Sequence, residues 1–258
     1  MALKISIINA KGGTAKTTTA VNLAHALANK KIKVLVCDLD PQASASLSFG
    51  FKRDDLYPSI ADVLIEGFPI NKAIKPTTVD GVSLLTGSMA LSSFDITFAA
   101  SKGREHKLKE ALKQVKGYDV IIMDCPPTLG LLSLNSITAA DEFIVPVIPQ
   151  YLALEGLATL AEALERIKVG IGCGATMMGI LLTQVDRRGK AANEIISLIR
   201  KHYSDKVFKT EIKINTRLSE APSFGKTIFQ HDWAATGAKS YQEFGNEVIS
   251  KIKKGSSK

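Results

Sequence analysis

Short apolar runs bounded by polar turns recur along the chain. Between them, apolar residues return every three or four positions. Residues 3–9, with Ile5, Ile7 and Ile8, read as a first buried strand, and residues 32–37 as a second. Further strands are predicted at 82–86, within the run 119–127, and at 143–148, 178–183 and 207–212. Residues 17–30 place Val21, Leu23, Ala24, Leu27 and Ala28 on one helical face. Helices are also predicted at 102–117, 133–140, 152–168, 190–203 and 235–254. Ser59 stands where it would cap a short one at 60–65. Residues 44–58 are polar and broken by Gly50 and Pro58, which predicts a mobile loop. Strands that alternate with helices from end to end predict an α/β fold: a doubly wound, mostly parallel sheet flanked by helices, in one domain over residues 1–258.

Composition narrows this reading. The chain has 258 residues, 45% hydrophobic and 22% charged, an ordinary balance for a soluble globular protein with a sizeable core. No apolar run reaches the roughly 18 residues that suggest a membrane span. Met1 is followed at once by a strand, which leaves no room for a signal peptide. Cys37, Cys125 and Cys173 lack metal-ligand spacing and read as reduced core residues of a cytoplasmic protein. The same cysteines argue against an iron–sulfur reductase, which needs two converging on a dimer axis.

Three stretches carry chemistry. In the first, a strand, the loop Lys11 to Ala15 and a helix beginning near Thr17 form a phosphate cradle. Gly12 and Gly13 let the backbone come close to an anion. Lys16 would reach the β- and γ-phosphates, and the Thr17 hydroxyl would hold Mg²⁺. Both outer glycines of the general pattern G-x-x-x-x-G-K-[ST] are missing: Ala10 and Ala15 stand there, and Lys11 adds a second lysine. In the second stretch, Asp38 and Asp40 follow a strand, where open α/β sheets bind ligands. In the third, four apolar residues lead to Asp124, placed to accept from a Mg²⁺-bound water.

The run Lys11-Gly12-Gly13-Thr14-Ala15-Lys16-Thr17-Thr18 resembles the deviant phosphate loop of the ParA/MinD family of ATPases. Asp38-Leu39-Asp40-Pro41-Gln42, Asp124-Cys125-Pro126-Pro127 and Arg217-Leu218-Ser219-Glu220-Ala221-Pro222-Ser223 follow in family order. The last run resembles the Soj-type partition proteins more than their MinD-like cousins. The resemblance implies ATP and Mg²⁺ as cofactors, with residues 11–18 around the phosphates and Thr17, Asp40 and Asp124 about the metal. It implies that Lys11 reaches across a homodimer to the partner's nucleotide. It also implies that Asp40 orients the attacking water, that Asp186 contacts the base, and that Glu155 borders the dimer interface. The usual Pro-Arg pair before Arg217 is replaced by Lys213 and Ile214. Implied partners are nonspecific DNA and a ParB-like or cargo-adaptor protein that stimulates hydrolysis, for a protein that segregates plasmid, chromosome or other cargo on the nucleoid.

Charge bears on the DNA partner. Residues 187–258 hold fifteen Lys/Arg against seven Asp/Glu, which is the whole net +8. A one-sided excess suits a polyanion, nucleic acid or anionic lipid; a solvated basic face is the alternative. Arg217, with Lys213, Arg200, Lys201 and Lys239, is the candidate DNA face. A MinD-like reading would instead lay the last helix on a membrane, through Tyr241, Phe244, Val248, Ile249 and Ile252 with Lys251, Lys253 and Lys254. Gly245, Glu243 and Glu247 interrupt that stripe and favour a helix packed on its own core.

Overall fold

The computed structural model describes residues 2–255; the sequence predicts fraying from Gly255 to Lys258, of which 256–258 lie outside the described residues. The described strands are β1 (Leu3–Ile7), β2 (Val34–Asp38), β3 (Lys75–Pro76), β4 (Val82–Leu85), β5 (Val120–Asp124), β6 (Glu142–Val147), β7 (Thr176–Val185) and β8 (Val207–Lys213). They form one sheet in the order β3-β4-β2-β5-β1-β6-β7-β8. All neighbours are parallel except β3 and β4. The chain leaves β1 to build one side and returns after β5 to build the other. The end of β1 therefore lies at a topological switch point, where open α/β sheets form ligand crevices.

The central strands are buried on both faces and so read as continuous apolar runs rather than alternating ones. Val34, Val36, Val120 and Ile122 point into one core, and Leu35, Cys37, Ile121 and Met123 into the other. The longer helices divide between those faces: α1 (Lys16–Ala28), α6 (Leu131–Ala139), α7 (Ala153–Ile171), α8 (Lys190–Tyr203) and α11 (Thr236–Gly255). Helices α1 and α11 cover the first core with Leu23, Leu27, Tyr241, Phe244 and Val248. The stripe that a MinD-like reading would lay on a membrane thus faces the interior, as its interruptions favoured, with Tyr241, Phe244 and Val248 fully buried and Ile249 and Ile252 packed against them. Gly245 brings α11 close to α1: a Cβ there would stand 2.8 Å from the Ala26 methyl. Among the described residues, no helix is long and apolar enough to cross a membrane.

Three expectations need correction. Residues 44–48 are not loop but the short helix α2 (Ser44–Ser48), which follows Ala43 in the left-handed region. The helix expected at 102–117 shrinks to α5 (Lys107–Leu112) after a 3-10 turn at Arg104–His106. Only Leu108 and Leu112 of that segment are fully buried, too few to hold a longer helix on the core. Ser59 does not cap through its own oxygen. Its N–H and hydroxyl both donate to the Asp62 carboxylate, at 2.6 Å each, beside a π-helical turn at Asp62–Glu66. Short elements with little periodicity passed unseen: β3, α3 (Ile70–Ala73), α4 (Phe94–Thr97), α9 (Thr216–Glu220) and α10 (Ile228–His231).

Candidate nucleotide-binding site

The parallel register brings three strand ends together. Ile7 on β1 pairs with Asp124 on β5, and Asp124 pairs with Asp38 on β2. The loop from Ala10 to Ala15 leaves β1 over these carboxylates and opens directly into α1. Asn9 ties the loop's start to β6: its Nδ2 donates to the Pro146 carbonyl at 2.8 Å and its Oδ1 accepts from Lys11 N–H at 2.9 Å. Gly13 takes φ +73°, which glycine reaches without penalty. Ala15 takes φ 67° and ψ 32° at the N-cap of α1. That conformation costs a residue with a Cβ roughly 1–2 kcal/mol, so the missing second glycine carries a real strain.

A cleft of about 550 Å³ opens over this loop, lined by Gly12 to Thr18, Asp40, α2, Pro127, Gln184, Pro222 and Ser223. Among the described residues, the N–H groups of Gly12, Gly13, Ala15, Lys16, Thr17 and Thr18 have no hydrogen-bond acceptor. These donors and the positive end of α1 suit an anion. Lys16 is 7% exposed, and its ammonium donates to the Lys11 carbonyl at 3.1 Å. Burial pushes its pKa down, against the opposing pull of Asp124, Cys125 and Asp40. Lys11, five residues earlier, is exposed, and its Nζ meets Gln150 Oε1 at 3.2 Å.

Asp124 is fully buried and neither carboxylate oxygen has a hydrogen-bond partner. Burial, then the nearby Asp38, pushes its pKa well above the usual carboxylate range. The Thr17 hydroxyl and Lys16 oppose that shift, the hydroxyl lying short of hydrogen-bond geometry. An orphaned buried carboxylate next to a hydroxyl and a phosphate cradle fits a hydrated divalent cation. Among the described residues no cluster of three His, Cys, Asp or Glu forms a cage. Magnesium suits such a place, because it keeps waters and takes few protein ligands beside the phosphates. Asp38 is buried too, but its carboxylate accepts from the Ser46 N–H and hydroxyl at 2.8 and 2.7 Å. Burial still pushes it up to about 6. Asp40 is half-buried on the cleft wall and accepts from Gln42 N–H at 2.9 Å.

The sequence-derived residues thus divide. Residues 12–18 and Asp40 line the cleft, Asp124 lies beneath it, and Lys11 stands at its edge. Asp186 is not on the wall: it is paired with Arg188 at 2.7 Å, which holds its carboxyl down to about 2. Gln184, two residues earlier, takes the wall position. Gln184, Ser46 and α2 were missed, because a single polar residue near a strand end carries no motif. The DNA candidates differ in what holds them. Arg217 is exposed and bound to Glu220 at 2.9 Å, with Asp232 at 3.7 Å. Arg200 is held by Glu211 at 2.9 Å and by the Phe208 and Lys209 carbonyls. Lys201, Lys213 and Lys239 are exposed. Cys37, Cys125 and Cys173 are buried free thiols.

A phosphate loop at the switch point of a parallel sheet, above converging carboxylates, defines a P-loop nucleotide-binding protein. The family described as an AAA domain matches residues 2–171. The sporulation initiation inhibitor protein Soj of Bacillus subtilis is 40% identical over 245 residues, 95% of this chain and 97% of that protein. The chromosome partitioning protein ParA of Myxococcus xanthus is 38% identical, over 95% of this chain and 87% of its own. Among solved structures, cobyrinic acid a,c-diamide synthase from Mycobacterium smegmatis with ADP and magnesium superposes with a TM-score of 0.86 at 30% identity, covering 99% of this chain and 97% of that one. MinD of Pyrococcus horikoshii with Mg-ADP gives 0.77 at 26% identity, covering 96% of each. The chain belongs to the ParA/MinD family, as a partition ATPase of the ParA/Soj type that uses ATP and Mg²⁺.

Proposed function

We propose that the chain is a single-domain, ATP-driven switch that moves DNA or other cargo in the cytoplasm, on the nucleoid. ATP and Mg²⁺ bind residues 11–18, a homodimer closes over the nucleotides, and the dimer binds DNA without sequence preference. A ParB-like or cargo-adaptor partner then stimulates hydrolysis and release. Lys16 contacts phosphate, Thr17 and Asp124 hold the hydrated cation, and Asp40 accepts from the attacking water. Bound magnesium neutralises phosphate charge. The observation that carries the dimer is Lys11. Lys16 already fills the cleft's own lysine position, so a second ammonium at the edge, on Gln150, is free to meet a phosphate arriving from outside. Turnover without the partner is slow, because Asp40 is held by its own loop through Gln42. Sedimentation with ATP, ADP and no nucleotide tests this reading: a dimer with ATP only supports it, and one mass in all three overturns it.

A further inference from the structure

The phosphate loop is held in shape from outside itself. Ala15 lies in the left-handed region, and such a residue persists only where its surroundings over-determine it. Two side chains at the end of β7 do this. The Thr183 hydroxyl donates to the Thr14 carbonyl at 3.1 Å, in a buried setting. Gln184 Nε2 donates to the Gly13 carbonyl at 2.7 Å. In a trans peptide, a carbonyl and the following N–H point to opposite sides. Holding the Gly13 and Thr14 carbonyls toward β7 therefore turns the Thr14 and Ala15 N–H groups away from it. Gln184 itself takes φ 50°, an uncommon backbone for a glutamine, so the strand end is bent where it delivers this side chain. Sequence patterns around the loop give no sign of either contact, because Thr183 and Gln184 stand some 170 positions away.

We propose that Thr183 and Gln184 are positioning residues, a two-point clamp from β7 that holds the loop and its Ala15 kink in the anion-binding form before nucleotide arrives. The proposal rests on reading residues 11–18 as the phosphate cradle. Glycine has no bias against the left-handed region. A loop with glycine at position 15 should therefore depend less on the clamp. The kink and the clamp are then one device: the alanine strains the loop, and the β7 side chains oppose its relaxation.

The test is calorimetric titration of ADP with Mg²⁺ into the parent, Gln184→Met, Ala15→Gly and the double variant, with Lys16→Ala alongside. Methionine keeps the length of the side chain and removes the amide, whose one hydrogen bond among the described residues is the Nε2 donation to Gly13. Gln184→Met should weaken ADP binding about fivefold to tenfold in the parent. It should weaken binding less than about twofold once Ala15→Gly is present. Because Gln184 is exposed, the unfolding temperature without nucleotide should barely move; a merely structural bond would shift it and leave affinity alone. No loss of affinity, or an equal or larger loss in the Ala15→Gly background, overturns the clamp. Lys16→Ala that binds ADP as the parent does would overturn the cradle itself, a result distinct from failure of the clamp.

Discussion

On the proposed reading, Asp124 should be stabilised by ligand and destabilising without it, which Asp124→Asn can measure. The carboxyl is fully buried with both oxygens unpartnered. Leaving a buried polar group unsatisfied costs roughly 1–3 kcal/mol, and more when it is charged. The amide keeps the shape and is also unpaired, but a neutral group is cheaper to bury than a carboxylate. Without nucleotide, the variant should therefore melt higher than the parent, by about 2–4 °C for each kcal/mol recovered in a chain of this size. The sign with pH follows from the raised pKa. A carboxyl that binds its proton more tightly folded than unfolded stabilises at low pH. That contribution is lost as pH rises from the ordinary carboxylate value toward the folded one. The advantage of Asp124→Asn should thus be small at or below about pH 4, the ordinary carboxylate value, and grow as pH rises toward the raised folded one. Asp38, pushed up to about 6, lies close enough to raise the Asp124 value, so neutralising Asp124 also relieves Asp38 and adds to the variant's advantage at higher pH. With Mg-ATP the order should reverse, because the parent gains about 2.7 kcal/mol at a ligand concentration of about one hundred Kd and the variant has lost the acceptor for the hydrated cation. Scanning calorimetry with and without Mg-ATP across this pH range is the assay. A variant that melts below the parent at the alkaline end, or that keeps the full Mg-ATP shift, refutes the reasoning.

Lys16→Ala should lose a charge-assisted contact typically contributing about 1.5–3 kcal/mol of ATP affinity, read by equilibrium binding. Asp40→Ala should bind ATP and dimerise yet release no phosphate above background in a steady-state assay; lost binding with the fold intact would make Asp40 a binding residue. Lys11→Ala should bind ATP like the parent and sediment as a monomer. Arg217→Glu should weaken binding to random-sequence duplex in the ATP state while leaving dimerisation alone. The affinity of the parent should fall steeply with salt, as expected when phosphate contacts release counterions, and should be far weaker with ADP.

The features that were legible from residues alone were those with a long period or a dense motif. The central strands announced themselves because burial on both faces leaves no polar position in β2 before Asp38 or in β5 before Asp124. Helix α8 came out to the residue, since its amphipathic repeat is strong. What stayed hidden depended on partners distant in sequence. Strand β3 has two residues and exists by pairing with β4. Helix α2 follows an alanine in the left-handed region and is fixed by Ser46 bonding to Asp38, neither visible as periodicity. In the site, loop and carboxylates were readable because a phosphate demands them in fixed order. The place of Gln184 on the cleft wall was not, because its contact is with the Gly13 carbonyl, 171 positions away.

Net charge overstates the cations that the fold leaves available. A count of lysines and arginines treats every cation as available, whereas the fold spends several internally. Arg187 and Arg200 converge on Glu211, which is mostly buried, as the brace between α8 and β8. Burial works against that glutamate, yet the two guanidinium hydrogen bonds hold its pKa below the usual range. Arg188 is held by Asp186, and Arg217 by Glu220 and Asp232. Exposed pairs of this kind are worth little to stability, so a DNA phosphate can compete for Arg217 and Arg188 at small cost. Arg200 is different: taking it away from Glu211 would leave a poorly solvated carboxylate with one cation fewer, which is far more costly. A polyanion face on this protein should therefore be built from Arg217 and the exposed lysines Lys201, Lys213 and Lys239, with Arg200 kept as a brace. Arg200→Ala should accordingly lower the melting temperature more than it weakens DNA binding, and Lys213→Ala the reverse. The opposite ranking in parallel melting and salt-series measurements would return Arg200 to the DNA face.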